Sequence, residues 1–196
     1  VILSNYFTLI KNRKFIIMCI CAGIPLAWVI SYANIAPFLF INKFHISTVA
    51  FGWITLIIGV GNLIGKYSNA LVIKRLSLIK TIQIGMLLGL IGGVWLLFFK
   101  LIGIANIYTV IIGVIIAQLA VGLVISNTPA IALPPFRHIG GSASALYRSS
   151  QQFMAFIISA ILTALPWHNT WVLGASFCIL AIIGVILLIF NKQAQS

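Results

Sequence analysis

The chain has 196 residues, of which 62% are hydrophobic, and it contains twelve Lys and Arg residues but no Asp or Glu. Soluble domains usually carry about 25% charged residues of both signs, whereas this chain has 6%. The composition therefore excludes an ordinary soluble domain and predicts a polypeptide that lies in lipid. It also leaves every Lys and Arg without a carboxylate side chain of its own chain as a partner.

Six apolar runs are long enough to cross a membrane. An α-helix rises about 1.5 Å per residue, so about 20 apolar residues span the hydrocarbon core, where only a helix satisfies its own backbone. The runs are 15–41, 49–73, 80–99, 105–133, 142–165 and 170–191. We predict an all-α membrane protein whose six-helix transmembrane bundle covers residues 15–191. Residues 1–14 are interpreted as a cytoplasmic lead-in, and 192–196 as a cytoplasmic tail.

The breaks between runs are polar or contain proline. They fall at 42–45, 74–77, 100–103, 134–138 and 166–169. Ser47 is predicted to cap the second helix by accepting a hydrogen bond from its free amides. No signal peptide is evident, and Val1 at the first position favours a start inside a longer chain or at an alternative start codon.

The distribution of basic residues predicts the orientation, because cytoplasmic loops collect Lys and Arg. With the N-terminus inside, the outer loops hold only Lys43 and Lys100. The cytoplasmic side then holds Lys11, Arg13, Lys14, Lys74, Arg75, Lys80, Arg137 and Lys192. Both termini are therefore expected in the cytoplasm. Since the basic residues lie in separate short loops, they favour topology and lipid headgroup contacts over a nucleic-acid site.

Small residues recur at every fourth position in three of the runs. They are Gly61 and Gly65 in the second run, Gly85, Gly89 and Gly93 in the third, and Gly141, Ala145 and Ser149 in the fifth. Such stripes let two helices approach closely in lipid. Tight helix packing is the favoured interpretation, with direct contact to a ligand as the alternative.

Polar residues inside the runs are the candidate functional residues. Pro37 removes an N–H and is expected to kink the first helix and free a backbone acceptor. The polar residues are Tyr32, Asn34, Gln118, Ser126, Asn127, Thr128, Gln151 and Gln152. Such groups are costly in lipid and should face protein or a water-filled cavity. Interhelical hydrogen bonding and the lining of a substrate cavity both remain open for each of them.

Arg148 is an intramembrane charge, six residues after Ser142 and hence about 9 Å into the fifth run. Its long stem would allow the guanidinium to snorkel to the cytoplasmic headgroups. The alternative is a positive charge at the inner mouth of a pathway, paired with an acid from another domain. Lys66 raises the same question more weakly.

No residue pattern predicts catalysis, a cofactor or a metal site. His45, His138 and His168 all fall at loops, and no nucleotide-binding loop or nucleophile–base–acid set occurs. Cys19, Cys21 and Cys178 lie on apolar segments without nearby His ligands, which favours buried thiols over metal ligands. We therefore expect the protein not to be an enzyme.

Four stretches of the chain resemble a known family. They are Tyr32 to Phe38; Phe51-Gly52 with Gly61, Gly65, Asn69 and Lys74-Arg75; Gly122-Leu123 with Asn127 and 130–133; and 140–146 with Gln151. Together they resemble the C-terminal six-helix half of a major facilitator superfamily transporter of the bicyclomycin-resistance (Bcr/CflA) drug:proton antiporter type. The stretch 140–146 is the most specific. Arg148 departs from the pattern, which usually has Gly there.

The resemblance implies alternating access, in which two six-helix bundles rock about a central cavity. It implies proton-coupled efflux of small amphipathic or cationic compounds across a bacterial inner membrane. The partner would be an N-terminal six-helix half that supplies the coupling acids. The implied cavity residues are Tyr32, Asn34, Phe38, Gln118, Asn127, Gln151 and Gln152, and the implied cytoplasmic loop motif is Gly65, Asn69, Lys74 and Arg75. A non-transporting membrane remnant and a metabolite carrier of the same superfamily are the alternatives.

Overall fold

The computed structural model describes residues 2–164 and 169–193, and every regular element in these ranges is helical. The long helices are α1 (Ile2–Lys11), α2 (Arg13–Pro37), α3 (Thr48–Val72), α4 (Leu78–Leu101), α5 (Ile107–Ala132), α6 (Gly140–Ala164) and α7 (Thr170–Gln193). A π-helical segment, Phe38–Lys43, continues α2, and a 3-10 helix, Pro134–Ile139, precedes α6.

The six predicted runs correspond to α2 through α7, with ends that differ by a few residues. Five of these segments are long and apolar enough to cross a membrane, as expected of an all-α membrane protein. The fifth run is a helix, α6, of sufficient length, but it is not among those five. Arg148, Gln151 and Gln152 make α6 more polar than its neighbours, and of these three side chains only Gln151 is buried.

The segment before the first run, predicted as a cytoplasmic lead-in, contains a helix that the sequence analysis did not assign. Residues 2–11 form helix α1, which packs against α2 and α6. Leu9 is fully buried in that contact, whereas Phe7 is exposed and lies 5.0 Å from Lys11 Nζ. Asn12 then ends α1 and caps α2 by accepting a hydrogen bond from Phe15 N at 2.9 Å. The burial of Leu9 and the cap at Asn12 thus hold this short helix against α2 and α6.

Caps and prolines fix the helix ends. The predicted cap at Ser47 is confirmed, because its Oγ accepts from Ala50 N at 3.3 Å. Pro37 ends the regular part of α2, and the chain continues with wider π-type turns in which Phe44 N donates to Leu39 O at 3.1 Å. The expected local distortion at Pro37 is therefore present as a change of helix type. His45, with φ of 52°, and Gly103, with φ of 75°, turn the chain at two loops.

Helices α2 and α5 form the centre of the bundle. α2 packs against α5, α6 and α7, while α5 packs against α2, α3 and α4. α4 and α7 pack against each other and close one side. α3 rests mainly on α5, and α6 mainly on α2, so each has one covered and one open face. The two open faces flank α2 and define the side of the molecule on which the candidate site lies.

Two of the three small-residue stripes lie at close helix contacts, as predicted. A Cβ at Gly65 would collide with the carbonyl oxygen of Leu119, and a Cβ at Gly122 would lie 2.6 Å from Lys66 N. These glycines let the backbones of α3 and α5 touch. The stripe on α4 likewise receives side chains of α2, α5 and α7. The third stripe differs, because a Cβ added at Gly141 would contact no neighbouring helix within 4 Å, and Ala145 and Ser149 are exposed.

The basic residues lie at both ends of the bundle. At one end, Lys43 Nζ donates to Asn169 Oδ1 at 3.1 Å, and Lys100 lies in the last turn of α4. At the opposite end of α2, the rings of Phe15 and Phe136 pack edge to face at 5.4 Å. The loops with Lys74, Arg75 and Arg137 follow helices that run toward this second end. Of the three histidines, His45 and His138 lie outside the long helices, and His168 lies outside the described residues.

Candidate functional site

A groove runs between α2 and α3, with α5 as its floor, and we call it the α2–α3 groove. Its volume is about 580 Å³. Its lining residues are Val29, Tyr32, Ala33, Ala36, Pro37, Phe51, Thr55, Ile58, Gly59, Asn62 and Gln118. Small residues on α2 and α3 leave the space open, and Phe51 and Tyr32 give it aromatic walls. The groove is mostly apolar with a few converging polar groups, which is the usual character of a small-molecule site.

The polar groups of the α2–α3 groove form two interhelical pairs. The Tyr32 hydroxyl lies 3.4 Å from Thr55 Oγ1, and Asn62 Nδ2 donates to Gln118 Oε1 at 3.4 Å. Thr55 and Asn62 are seven residues apart, so the two pairs lie about 10 Å apart along α3. Both contacts are long, and Asn62 keeps part of its surface exposed. These groups are therefore able to exchange partners with a molecule that enters the groove.

Asn34 lies on α2 but faces α6 rather than the groove. Its Nδ2 donates to Ser159 Oγ at 2.7 Å, which joins the C-terminal halves of the two helices. Phe38 lies in the π-helical segment with 46% of its surface exposed. Neither residue lines the α2–α3 groove, although both lie on α2 or its extension beside that groove.

Gln151 belongs to a buried network that joins α2, α5 and α6. Its Nε2 donates to the Tyr147 hydroxyl at 3.2 Å and to Ala22 O at 3.4 Å. The Tyr147 hydroxyl in turn lies 2.8 Å from Thr128 Oγ1. Gln151, Tyr147 and Thr128 are all buried. This network holds three helices in register and leaves Gln151 little freedom to contact a ligand directly.

Arg148 and Gln152 lie on the open face of α6, together with Leu146, Ser149, Ser150, Phe153 and Phe156. Arg148 donates from Nη1 to Gln151 Oε1 at 3.5 Å, which connects this face to the buried network. The structure therefore places Gln151 and Gln152, neighbours in sequence, in different environments.

Asn127 lies away from the α2–α3 groove and from the open face of α6. It lies in the contact between α3 and α5. Its Nδ2 donates to Asn69 Oδ1 and to Leu123 O, and it is almost fully buried. Asn69 and Gly65 of the loop motif thus take part in helix packing. Lys74 and Arg75 are exposed in the turn after α3. Within this motif, the first two residues pack between helices, and the last two carry exposed positive charge in the turn after α3.

Thr55 and Asn62 line the α2–α3 groove, but the sequence analysis did not predict them as cavity residues. A signal for them exists, because Thr55, Asn62 and Asn69 recur at every seventh position and therefore share one face of α3. In an otherwise apolar run this spacing marks the face that meets α2 and α5. Tyr147 is a second omission, since its hydroxyl joins Thr128 to Gln151.

The three cysteines are buried thiols, as predicted. Cys19 and Cys21 lie on α2 near the buried network, and Cys178 lies on α7 against Gly93 of α4. Among the described residues, no group of three or more His, Cys, Asp or Glu is arranged to hold a metal ion.

The sequence was compared with known proteins. No protein-family model matches the chain, and no curated protein matches it.

Proposed function

We propose that this chain is one half of a secondary active transporter of the major facilitator type, which exports small amphipathic compounds by alternating access and couples export to proton entry. The single observation that carries the proposal is the α2–α3 groove. It brings four polar side chains, in two pairs, between helices that are long and apolar enough to cross a membrane. Polar groups at membrane depth are expensive and are typical of substrate or ion pathways.

The open faces of α3 and α6 support the proposal of a second bundle. α3 exposes large apolar side chains along its length, including Trp53, Leu56 and Leu63. α6 exposes small and polar residues in its first half. A second six-helix bundle resting on these faces would close the α2–α3 groove into a central cavity. In this arrangement α6 is the sixth membrane span, and both termini lie in the cytoplasm of a bacterial inner membrane.

The same partner would supply the groups that carry protons. Proton coupling within a membrane normally uses carboxylates or histidines. The chain has no Asp or Glu, and His45 and His138 lie outside the long helices. We propose that an embedded acid of an N-terminal half performs this role, while this half contributes hydrogen-bonding and aromatic surface.

The test is drug resistance in cells that lack their own exporters and co-express this chain with a matching N-terminal half. Asn62→Leu and Gln118→Leu should each change which compounds are exported while leaving the amount of membrane-inserted protein unchanged. Tyr67→Phe is the matched control, because Tyr67 is 78% exposed on α3 and does not line the groove. No resistance with any partner half would favour a non-transporting remnant, and uptake of a metabolite without drug export would favour a metabolite carrier.

A further inference from the structure

The two polar pairs of the α2–α3 groove share one arrangement. In each pair, a buried side chain of α2 or α5 meets a less buried partner on α3. Tyr32 and Gln118 are 5% and 8% exposed, whereas Thr55 is exposed and Asn62 is half-buried. Both contacts measure 3.4 Å, and a protein hydrogen bond is usually about 2.7–3.0 Å long. The partners on α3 are therefore held loosely and are open to a molecule in the groove.

The backbone of α2 adds an acceptor beside the first of these pairs. Ala33 and Pro37 both line the groove, and Ala33 directly follows Tyr32. Proline has no N–H, so Pro37 cannot donate to Ala33 O as the fourth residue along a regular α-helix would. This end of the groove thus offers two hydroxyls and a backbone carbonyl to a ligand that carries a hydrogen-bond donor.

Between the two pairs the groove is apolar and open. Gly59 lies on α3 between Thr55 and Asn62, it lines the groove, and a Cβ added there would meet nothing within 4 Å. Beyond Thr55, the ring of Phe51 packs against the buried ring of Phe40, with centroids 5.8 Å apart, so that this aromatic wall is held in place. The groove therefore has two polar positions, about 10 Å apart by the helical rise, with an apolar span between them.

The lining of the groove carries no charge among the described residues. It contains no Lys, Arg or His, and the chain has no Asp or Glu. Lys66 follows Asn62 by one helical turn, but it is exposed and does not line the groove. Burying an ion without a charged partner is costly, whereas hydroxyl and amide groups both donate and accept hydrogen bonds. The lining therefore favours an uncharged ligand.

We propose that the α2–α3 groove binds an uncharged molecule with two hydrogen-bonding groups about 10 Å apart, one at each polar pair, joined by an apolar body that lies along Gly59. The proposal rests on the proposed transport function and narrows its substrates from amphipathic compounds in general to uncharged ones of this length. A cation would depend on the acid of the partner half, and an anion would find no cation in the lining.

The experiment measures binding by the full chain in nanodiscs of phosphatidylcholine at pH 7. Equilibrium dialysis, corrected with protein-free discs, compares four radiolabelled probes that share a biphenyl body: 4,4′-dihydroxybiphenyl, 4-hydroxybiphenyl, 4′-hydroxybiphenyl-4-carboxylate and 4′-hydroxybiphenyl-4-methylammonium. In the first probe, the two hydroxyls are about as far apart as the two polar pairs. We expect it to bind about fivefold more tightly than each of the others, the factor that one additional hydrogen bond contributes.

Variants at the two ends and in the middle of the groove locate the site. Asn62→Leu and Thr55→Val should each reduce the preference for the dihydroxy probe over the monohydroxy probe to about twofold or less, because one polar end is lost. Gly59→Leu should block both probes, since the new side chain fills the apolar span without meeting a neighbour at its Cβ. Gly52→Leu is the matched control, because Gly52 also has open space but does not line the groove.

Equal binding of the dihydroxy and monohydroxy probes, or tighter binding of either charged probe, would overturn the proposal. A preference unchanged by both end variants, or binding unchanged by Gly59→Leu, would also overturn it. Retained monohydroxy binding shows that an end variant is folded, and a monodisperse chromatographic profile shows this for Gly59→Leu. Transport by the co-expressed halves without the dihydroxy preference would remove this inference alone. The preference without transport would remove the proposed function alone.

Discussion

The ring of Trp28 on α2 is seated in the notch that Gly89 leaves on α4. A Cβ at Gly89 would collide with the six-membered part of the indole. Trp28 is 1% exposed, and Phe177 of α7 lies against it with ring centroids 6.1 Å apart. The indole Nε1 has no hydrogen-bond partner among the described residues. Packing alone therefore holds this large side chain at the meeting point of three helices.

We expect Gly89→Ala to destabilise the bundle by about 1–3 kcal/mol, because a rigid indole wedged against Phe177 has no room to move aside. The measurement is reversible unfolding in mixed micelles, followed by tryptophan fluorescence. Gly52→Ala is the control, since a Cβ at Gly52 meets nothing within 4 Å. Equal effects of the two substitutions would show that the notch at Gly89 does not determine stability.

A second glycine substitution tests the contact between α3 and α5. In Gly65→Ala the added methyl would meet the carbonyl oxygen of Leu119, which belongs to the backbone of α5. The two helices must then separate, and the hydrogen bond from Asn127 to Asn69 should weaken with them. We expect a spin-label distance between α3 and α5 to increase by about 1 Å or more, the scale of small helix shifts. An unchanged distance with unchanged stability would contradict this close packing.

The buried network is tested by removing one hydroxyl. Tyr147→Phe takes a partner from both Thr128 and Gln151, two buried polar side chains. The expected loss is about 1 kcal/mol, at the upper part of the range for interhelical hydrogen bonds in membranes. Tyr67→Phe removes an exposed hydroxyl on α3 and should leave the stability unchanged.

Helices α2 to α7 were predictable because each corresponds to a long, mostly apolar run that ends at polar or turn-forming residues. The second run was predicted at 49–73 and α3 is Thr48–Val72, with Ser47 as its cap. α1 was not predicted as a helix. It has no long apolar run, and its position depends on a tertiary contact of Leu9.

The partners of the polar side chains were not predictable in the same way. α5 is apolar on all sides, so its sequence does not indicate which face meets which neighbour. Asn127 and Gln118 both lie on α5, yet one packs against Asn69 and the other lies on the floor of the α2–α3 groove. The rotation of each helix decides between these outcomes, and that rotation is set by packing. The close contacts at Gly65 and Gly122 help to set the rotation of α3 and α5, and these contacts exist only in the folded bundle.

The proposed orientation is tested by labelling single cysteines. The background replaces Cys19, Cys21 and Cys178 with alanine, and the new cysteines are placed one at a time at Ser77 and Asn169. These positions lie at the start of α4 and just before α7, at opposite ends of the bundle. An impermeant maleimide added to intact cells should label Asn169→Cys and not Ser77→Cys, and permeabilised cells should label both. Labelling of both in intact cells would contradict the proposed orientation.

The last prediction concerns the chain on its own. Proton-coupled export requires a group that binds and releases protons at membrane depth, and this chain has no acidic side chain. In this chain alone, the α2–α3 groove is also uncovered on the side opposite α5. We therefore expect vesicles that contain only residues 1–196 to show membrane-inserted protein without efflux driven by a pH gradient. A matching N-terminal half with an embedded Asp or Glu should restore efflux, and replacing that acid by Asn or Gln should abolish it again. Drug-induced proton release by the chain alone, from a host without other exporters, would contradict the half-transporter proposal and would require an assembly of identical chains that moves protons without carboxylates.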